Sequence, residues 1–167
     1  TCALQLLDES SGHLNLVASH GAGEAYLNKP GVDIAESFLG SVINLKKPLQ
    51  IENVQTSNAY QQQDIAREED LVAMLSIPLV FGGKAIGTLN VYKAETYVFS
   101  NDEIHIATAL AELSALAIEK ARLLERIVES EELLRQNEKL SALGLLAGEV
   151  AHEIRNPLTV LKMLYHS

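Results

Sequence analysis

The chain opens on strand-like alternation. Thr1 to Leu7 alternates weakly, Asp8-Glu9-Ser10-Ser11-Gly12 is a turn cluster, and His13 to Ser19 places Leu14, Leu16 and Ala18 on one face. Two such runs across a short Gly-containing turn predict a hairpin. The pattern then becomes helical: Asp33 and Glu36 stand at capping-box spacing, and Ile34, Phe38, Val42 and Leu45 follow at +4, +4 and +3. Pro48 stops that helix, and Leu49 to Val54 reads as a short strand. Residues 55–70 are polar and predict a loop with one or two helical turns. Ala73 to Phe81 and Lys84 to Lys93 form a second hairpin around Gly82-Gly83. Pro78 cannot donate to a ladder, so its strand needs an edge or a bulge there.

The alternation ends at Ser100. Ser100 and Glu103 make a second capping box, and after Asn101 no Gly or Pro occurs until Gly144. Half of the 22 residues from Glu119 to Leu140 are charged, in both signs, which suits a solvated helix laced by pairs such as Glu131/Arg135. A helix over about 101–165 would be roughly 100 Å long. A domain of ~100 residues, with a radius of gyration of ~13 Å, cannot cover such a rod, so a second chain is expected to. Leu140, Leu143, Ala147, Val150, Ile154, Leu158 and Leu161 run near the 3-4 spacing of a dimeric seam. Leu113, Ala117, Leu124, Ile127 and Leu134 fit the same template in a different phase, so the register breaks between Glu131 and Leu140.

Composition narrows the partners. The chain has 167 residues, 47% apolar and 21% charged, with a net charge of -9. That balance, without any Lys/Arg run, argues against nucleic acid. No apolar stretch approaches the ~18–20 residues of a membrane span. Cys2 is the single cysteine, which excludes an internal disulfide and a Cys-based zinc site. The chain reads as cytoplasmic. It begins on Thr1, inside an apolar alternation, and reads as a fragment of a longer protein.

The chemistry concentrates in Lys139 to Leu161, KLSALGLLAGEVAHEIRNPLTVL, centred on His152-Glu153-Ile154-Arg155-Asn156-Pro157. His-Glu begins a zinc-binding H-E-x-x-H, but position 156 is Asn, so one ligand is missing and no metal is expected. A solvated histidine beside a salt-bridging glutamate is the plainer alternative. If Val150 and Ile154 lie in the seam, however, His152 points away from it. An ordinary imidazole is largely neutral at pH 7, as a nucleophilic nitrogen must be. Glu153 is placed to take up a proton, and Asn156, one turn on, to orient a water. Pro157 leaves the Glu153 carbonyl without its helical donor, which predicts a bend.

This block resembles the H-box of sensor histidine kinases, in the dimerisation and histidine-phosphotransfer domain. The resemblance implies that His152 is the phosphoacceptor, Glu153 its acid/base and Asn156 the residue that serves the reverse phosphatase reaction. It implies a lesser role for Arg155, as a charge near the phosphoryl group or the partner response regulator. The second helix of that domain and an ATP site are not found in the chain. ATP and Mg2+ are therefore implied for a separate catalytic domain, and this fragment alone is not expected to be an active enzyme.

Upstream, CALQLLDESSGHLNLVASHG and LSIPLVFGGKAIGTLNVYKAETYVFSNDEIHIATALAELSALAIEKARLLE resemble the early hairpin and the last half of a GAF domain. The fold implied is α+β: an antiparallel sheet flanked by helices, then a long coiled-coil helix. Ala85, Gly87, Leu89 and Val91 form a small apolar face suited to the helix from 101. The opposite face shows Ile86, Thr88, Asn90 and Tyr92. A polar-dotted apolar face under a helix-and-loop cover suits a small-molecule pocket, with Phe38, Tyr60, Ser76, Thr88 and Asn90 as candidates. The competing reading is that these hydroxyls satisfy backbone groups in an empty domain. Cys2 lacks the flanking pattern of bilin attachment and reads as a buried thiol. His20 reads as a loop histidine rather than a haem ligand, and His105 as an ordinary helix side chain.

The expected organisation is a sensor at 1–118, a signalling helix at 119–138 and an incomplete phosphotransfer helix at 139–167. The expected partners are a second copy through the C-terminal helix, a response regulator and the kinase's own ATP-binding domain. The alternative is a non-catalytic ligand-binding or dimerisation module whose H-box is inert.

Overall fold

The computed structural model describes residues 1–35 and 37–165, with side chains through Ala147. Two units are described separately, Thr1–Glu119 and the part from Lys120 onward. In the first, six strands form one antiparallel sheet: β1 (Cys2–Asp8), β2 (His13–His20), β3 (Val32–Asp33), β4 (Leu49–Ile51), β5 (Ala73–Phe81) and β6 (Lys84–Lys93). Their order is β3-β2-β1-β6-β5-β4. Both predicted hairpins are present. The short helices α1 (Glu24–Leu27), α2 (Phe38–Leu45) and α3 (Gln63–Glu68) lie between strands, and α4 runs Asn101–Tyr165.

Alternation along β5 divides the interior into two cores. Ala73, Leu75, Ile77 and Leu79 face the start of α4, where Ala107, Ala111 and Ala115 pack on them. Met74 faces the other way, with Tyr26, Leu39, Ile43 and Tyr92 under α2 and the loops. Pro78 pairs with Thr88 of β6, while β4 pairs only with Met74 to Ser76. The proline therefore lies beyond the end of β4, at a local edge that spares its missing N–H. The register shifts between Leu79 and Val80, so Ile86 has no partner on β5. That bulge corrects the expected faces of β6: Ala85 packs in the α2 core and Ile86 in the α4 core.

Two further expectations change. The cap of α2 is Ser37, whose Oγ accepts from the Gly40 N–H at 3.0 Å. Asp33 instead ends β3 and closes a turn by accepting from the Ala35 N–H at 2.8 Å; Glu36 lies outside the described residues. The strand expected over Leu49–Val54 stops at Ile51. The capping box at α4 forms as read, with the Ser100 N–H donating to Glu103 Oε2 at 2.9 Å and the Glu103 N–H to Ser100 Oγ at 3.3 Å. The Ser100 backbone N–H, with the Ser100 and Tyr97 hydroxyls and Lys93, holds the Glu103 carboxyl at about 2. A Cβ on Gly40 would strike the Ile34 carbonyl, and one on Gly87 the Gln5 carbonyl, so α2 and β1 each approach a neighbouring backbone that only glycine admits.

Candidate functional site

The sheet face under α2 carries two adjoining polar groups. The first is built by strand register. Ser76 lies opposite Asn90, and Thr88 opposite Gln5. All four are fully buried. Asn90 is their hub: its Oδ1 accepts from Ser76 Oγ at 2.7 Å, and its Nδ2 donates to Gln5 Oε1 at 2.9 Å and Thr88 Oγ1 at 3.3 Å. Gln5 Nε2 is the one buried side-chain polar atom without a partner among the described residues.

The second group is aromatic. Tyr92 shares hydroxyl hydrogen bonds with Tyr26 at 3.1 Å and Tyr60 at 3.3 Å. Burial pushes all three phenols up, so they remain neutral donors. Tyr26 is held by α1, whose Gly23 and Tyr26 N–H groups donate to the Glu69 carboxylate at 2.6 and 3.1 Å. One turn on, Lys29 Nζ stands 3.8 Å from the centre of the Tyr26 ring. Desolvation lowers the Lys29 amine to about 7.

Lys29, Val32, Ser37, Phe38, Leu39 and Tyr60 line a cavity of ≈ 10 Å³, about the room one ordered water needs. An open groove of ≈ 410 Å³ adjoins it through Ser37, Phe38, Ala59 and Gln61. Of the five pocket candidates, Phe38 and Tyr60 line the cavity, whereas Ser76 and Thr88 bond to Asn90 and line neither the cavity nor the groove. The pattern-based reading missed Gln5, Tyr26, Lys29 and Tyr92. Gln5 was visible as a polar break between Ala3 and Leu7 on an inward face, and Tyr26 and Lys29 as an i,i+3 pair. These groups offer hydrogen bonds and one cation but no nucleophile paired with a base, so the arrangement suits binding.

Cys2 is half-buried rather than buried, and His20 ends β2 rather than lying in a loop; His20 and His105 are both exposed. Among the described residues no three His, Cys, Asp or Glu side chains gather as a metal site needs, and no helix is long and apolar enough to cross a membrane. The backbone of 152–156 lies within α4. The side chains of His152, Glu153, Arg155 and Asn156 lie outside the described residues; at Pro157, where a bend is expected, the backbone belongs to α4 without interruption.

The sequence profile of the GAF domain matches residues 1–119. The chain belongs to the GAF family. Its fold resembles the GAF domain of a phosphoenolpyruvate-protein phosphotransferase from Coxiella burnetii, at 26% identity, 75% coverage of this chain and 74% of that one, and TM-score 0.67. A domain of a two-component sensor histidine kinase from Sinorhizobium meliloti shares the fold at 23% identity, 75% and 82% coverage and TM-score 0.61. So does the GAF domain of one from Bacillus halodurans, at 18%, 74% and 84%, and 0.60. Sporulation kinase A of Bacillus subtilis is 59% identical over 34 residues, 20% of this chain and 6% of that protein's length. The Asn90 hub and the tyrosine cluster thus lie inside the GAF fold, on the α2 side of its sheet.

Proposed function

We propose that the chain is the sensory and phosphoacceptor part of a two-component sensor histidine kinase. The observation that carries this reading is the block His152-Glu153-Ile154-Arg155-Asn156-Pro157-Leu158-Thr159 on the helix that follows a GAF domain. The short match to a sporulation kinase supports it. In this account 119–138 is a signalling helix, and 139–167 begins the dimerisation and phosphotransfer domain. Two chains pair through it in the cytoplasm.

The chemistry follows from the residue types. A neutral imidazole nitrogen of His152 attacks the γ-phosphorus of ATP held with Mg2+ by a separate catalytic domain. The bond to the leaving ADP breaks, and Glu153 accepts the imidazole proton. The phosphoryl group then passes to a response-regulator aspartate. Asn156 orients the water that hydrolyses the phosphorylated product in the reverse function, and Arg155 supplies positive charge near the transferring group. The GAF domain feeds this step by binding a small molecule over Phe38 and Tyr60.

The test supplies the ATP-binding domain of a histidine kinase in trans with radiolabelled ATP. Acid-labile label on the chain that disappears in His152→Ala supports the reading. Equal labelling of His152→Ala, or no labelling of the parent chain, favours a GAF module whose H-box is inert.

A further inference from the structure

Lys29 is a cation set into the wall of the inner cavity without a carboxylate to meet it. It is half-buried, and it belongs to neither ion pair described in the sensor unit, Arg67–Asp64 or Lys93–Glu103. Glu69, which holds the same short helix α1, is taken up by the Gly23 and Tyr26 N–H groups. The contact described for the Lys29 ammonium is the face of the Tyr26 ring, 3.8 Å from Nζ, a weaker partner than a carboxylate. The residue is also fixed from both sides. Its N–H donates to the Tyr26 carbonyl at 3.4 Å, and the next carbonyl, that of Pro30, accepts from Gln62 Nε2 at 3.1 Å. A cation held this way carries a desolvation cost that only the ring offsets.

The start of α2 supplies donors to the same cavity, which Ser37, Phe38 and Leu39 line together with Lys29 and Tyr60. Ser37 is only 7% exposed. Its Oγ accepts from the Gly40 N–H at 3.0 Å, and no acceptor is described for its own proton, so a buried O–H is left to donate. The Phe38 and Leu39 N–H groups are the first two of the helix and have no acceptor within it. We propose that the cavity is an anion site, in which Lys29, the Ser37 hydroxyl and the leading N–H groups of α2 receive the carboxylate of a small organic acid. The proposal rests on the small-molecule role given to the GAF domain above and names the class of its ligand. Size selects that class: room of ≈ 10 Å³ admits one carboxylate oxygen and not a tetrahedral phosphate. The body of the acid lies in the adjoining groove of ≈ 410 Å³, where Ser41, Asn44, Asn58 and Gln61 provide neutral polar groups and no second cation. A monocarboxylate with a polar body fits that division, and a dicarboxylate does not.

The test titrates the nitrogen-15-labelled full chain with sodium acetate at constant chloride and follows the backbone amides. It is run near pH 6, below the value of about 7 at which the Lys29 amine loses its proton. Acetate is expected to shift the Phe38 and Leu39 resonances saturably, and neutral acetamide is not. Inorganic phosphate is expected to bind more weakly than acetate. Lys29→Met should weaken acetate by roughly 10-fold or more, as loss of a charged hydrogen-bond partner does. Lys47→Met, at an exposed lysine just past α2, should leave acetate binding unchanged. Equal acetate affinity in Lys29→Met overturns the proposal. The comparison of acetate with acetamide on the parent chain needs no variant: acetamide binding as tightly overturns the anion site and leaves a small-molecule sensor standing. Phosphate binding as tightly as acetate overturns the carboxylate class. No saturable shift with any of the three probes also overturns the proposal, while labelling of His152 in trans judges the kinase reading separately.

Discussion

Replacing Asn90 by alanine tests whether the polar residues under α2 hold the GAF fold together or wait for a ligand. Asn90 accepts from Ser76 and donates to Gln5 and Thr88, and all four side chains are fully buried. The substitution removes three hydrogen bonds at about 1 kcal/mol each and leaves the Ser76 hydroxyl dry and unpaired, so a loss of about 3–4 kcal/mol is expected. With a urea slope of about 2 kcal/mol per M, the midpoint falls by about 1.5–2 M. Near-UV dichroism of tyrosine follows the transition. The chain has no Trp and five Tyr, of which Tyr26, Tyr60 and Tyr92 are buried together in the sensor unit. A midpoint within about 0.4 M of the parent, equivalent to less than ~1 kcal/mol, would refute the network as a structural element. It would return Ser76, Thr88 and Asn90 to the role of ligand-facing groups.

The other predictions concern three different links. The folded Lys29 amine stands at about 7 against an ordinary 10.5, so between those values the unfolded chain binds more protons and stability should rise with pH. Lys29→Met should therefore gain stability over the parent near pH 6–7 and lose that advantage toward pH 10; a difference independent of pH contradicts the desolvated amine. Gly40→Ala should lose about 1–3 kcal/mol through overpacking, because its Cβ meets the Ile34 carbonyl; an unchanged urea midpoint contradicts that contact. One alanine inserted between Glu131 and Leu140 turns the H-box by about 100° relative to the preceding helix. Phosphorylation in a full-length kinase should change, and unchanged output counts against a helix-borne signal.

The hairpins were legible because period-two alternation and the Gly82-Gly83 turn report on neighbours in sequence. The Ser100-Glu103 cap was legible for the same local reason. What escaped depended on distant strands or on competition between similar signals. The bulge at Ile86 arises from pairing with Leu79 and Val80, so nothing within β6 announces that Ala85 and Ile86 exchange faces. Asp33 stood at capping distance from Glu36, yet Ser37 took the cap and Asp33 closed a turn, since both residue types compete for the same backbone donors. Ser76, Thr88 and Asn90 share one face of the sheet, as the alternation predicts. The split between cavity-lining Phe38 and Tyr60 and the buried Asn90 hub came from Gln5, which the topology brings from the far end of the chain. Leu113 was legible as part of a 3-4 repeat, but only packing shows that Ala107, Ala111 and Ala115 take the inward face of α4.

The central claim is that this GAF-linked helix carries a phosphoacceptor histidine. Its most direct measurement is the position of the phosphoryl group after the chain is incubated with ATP, Mg2+ and a histidine-kinase catalytic domain. Fragmentation mass spectrometry at neutral to alkaline pH preserves the acid-labile bond. The account predicts one phosphoryl group, on His152, transferable to a response-regulator aspartate. A phosphoryl group on His105, His166 or a hydroxyl side chain, with His152 unmodified, would contradict it.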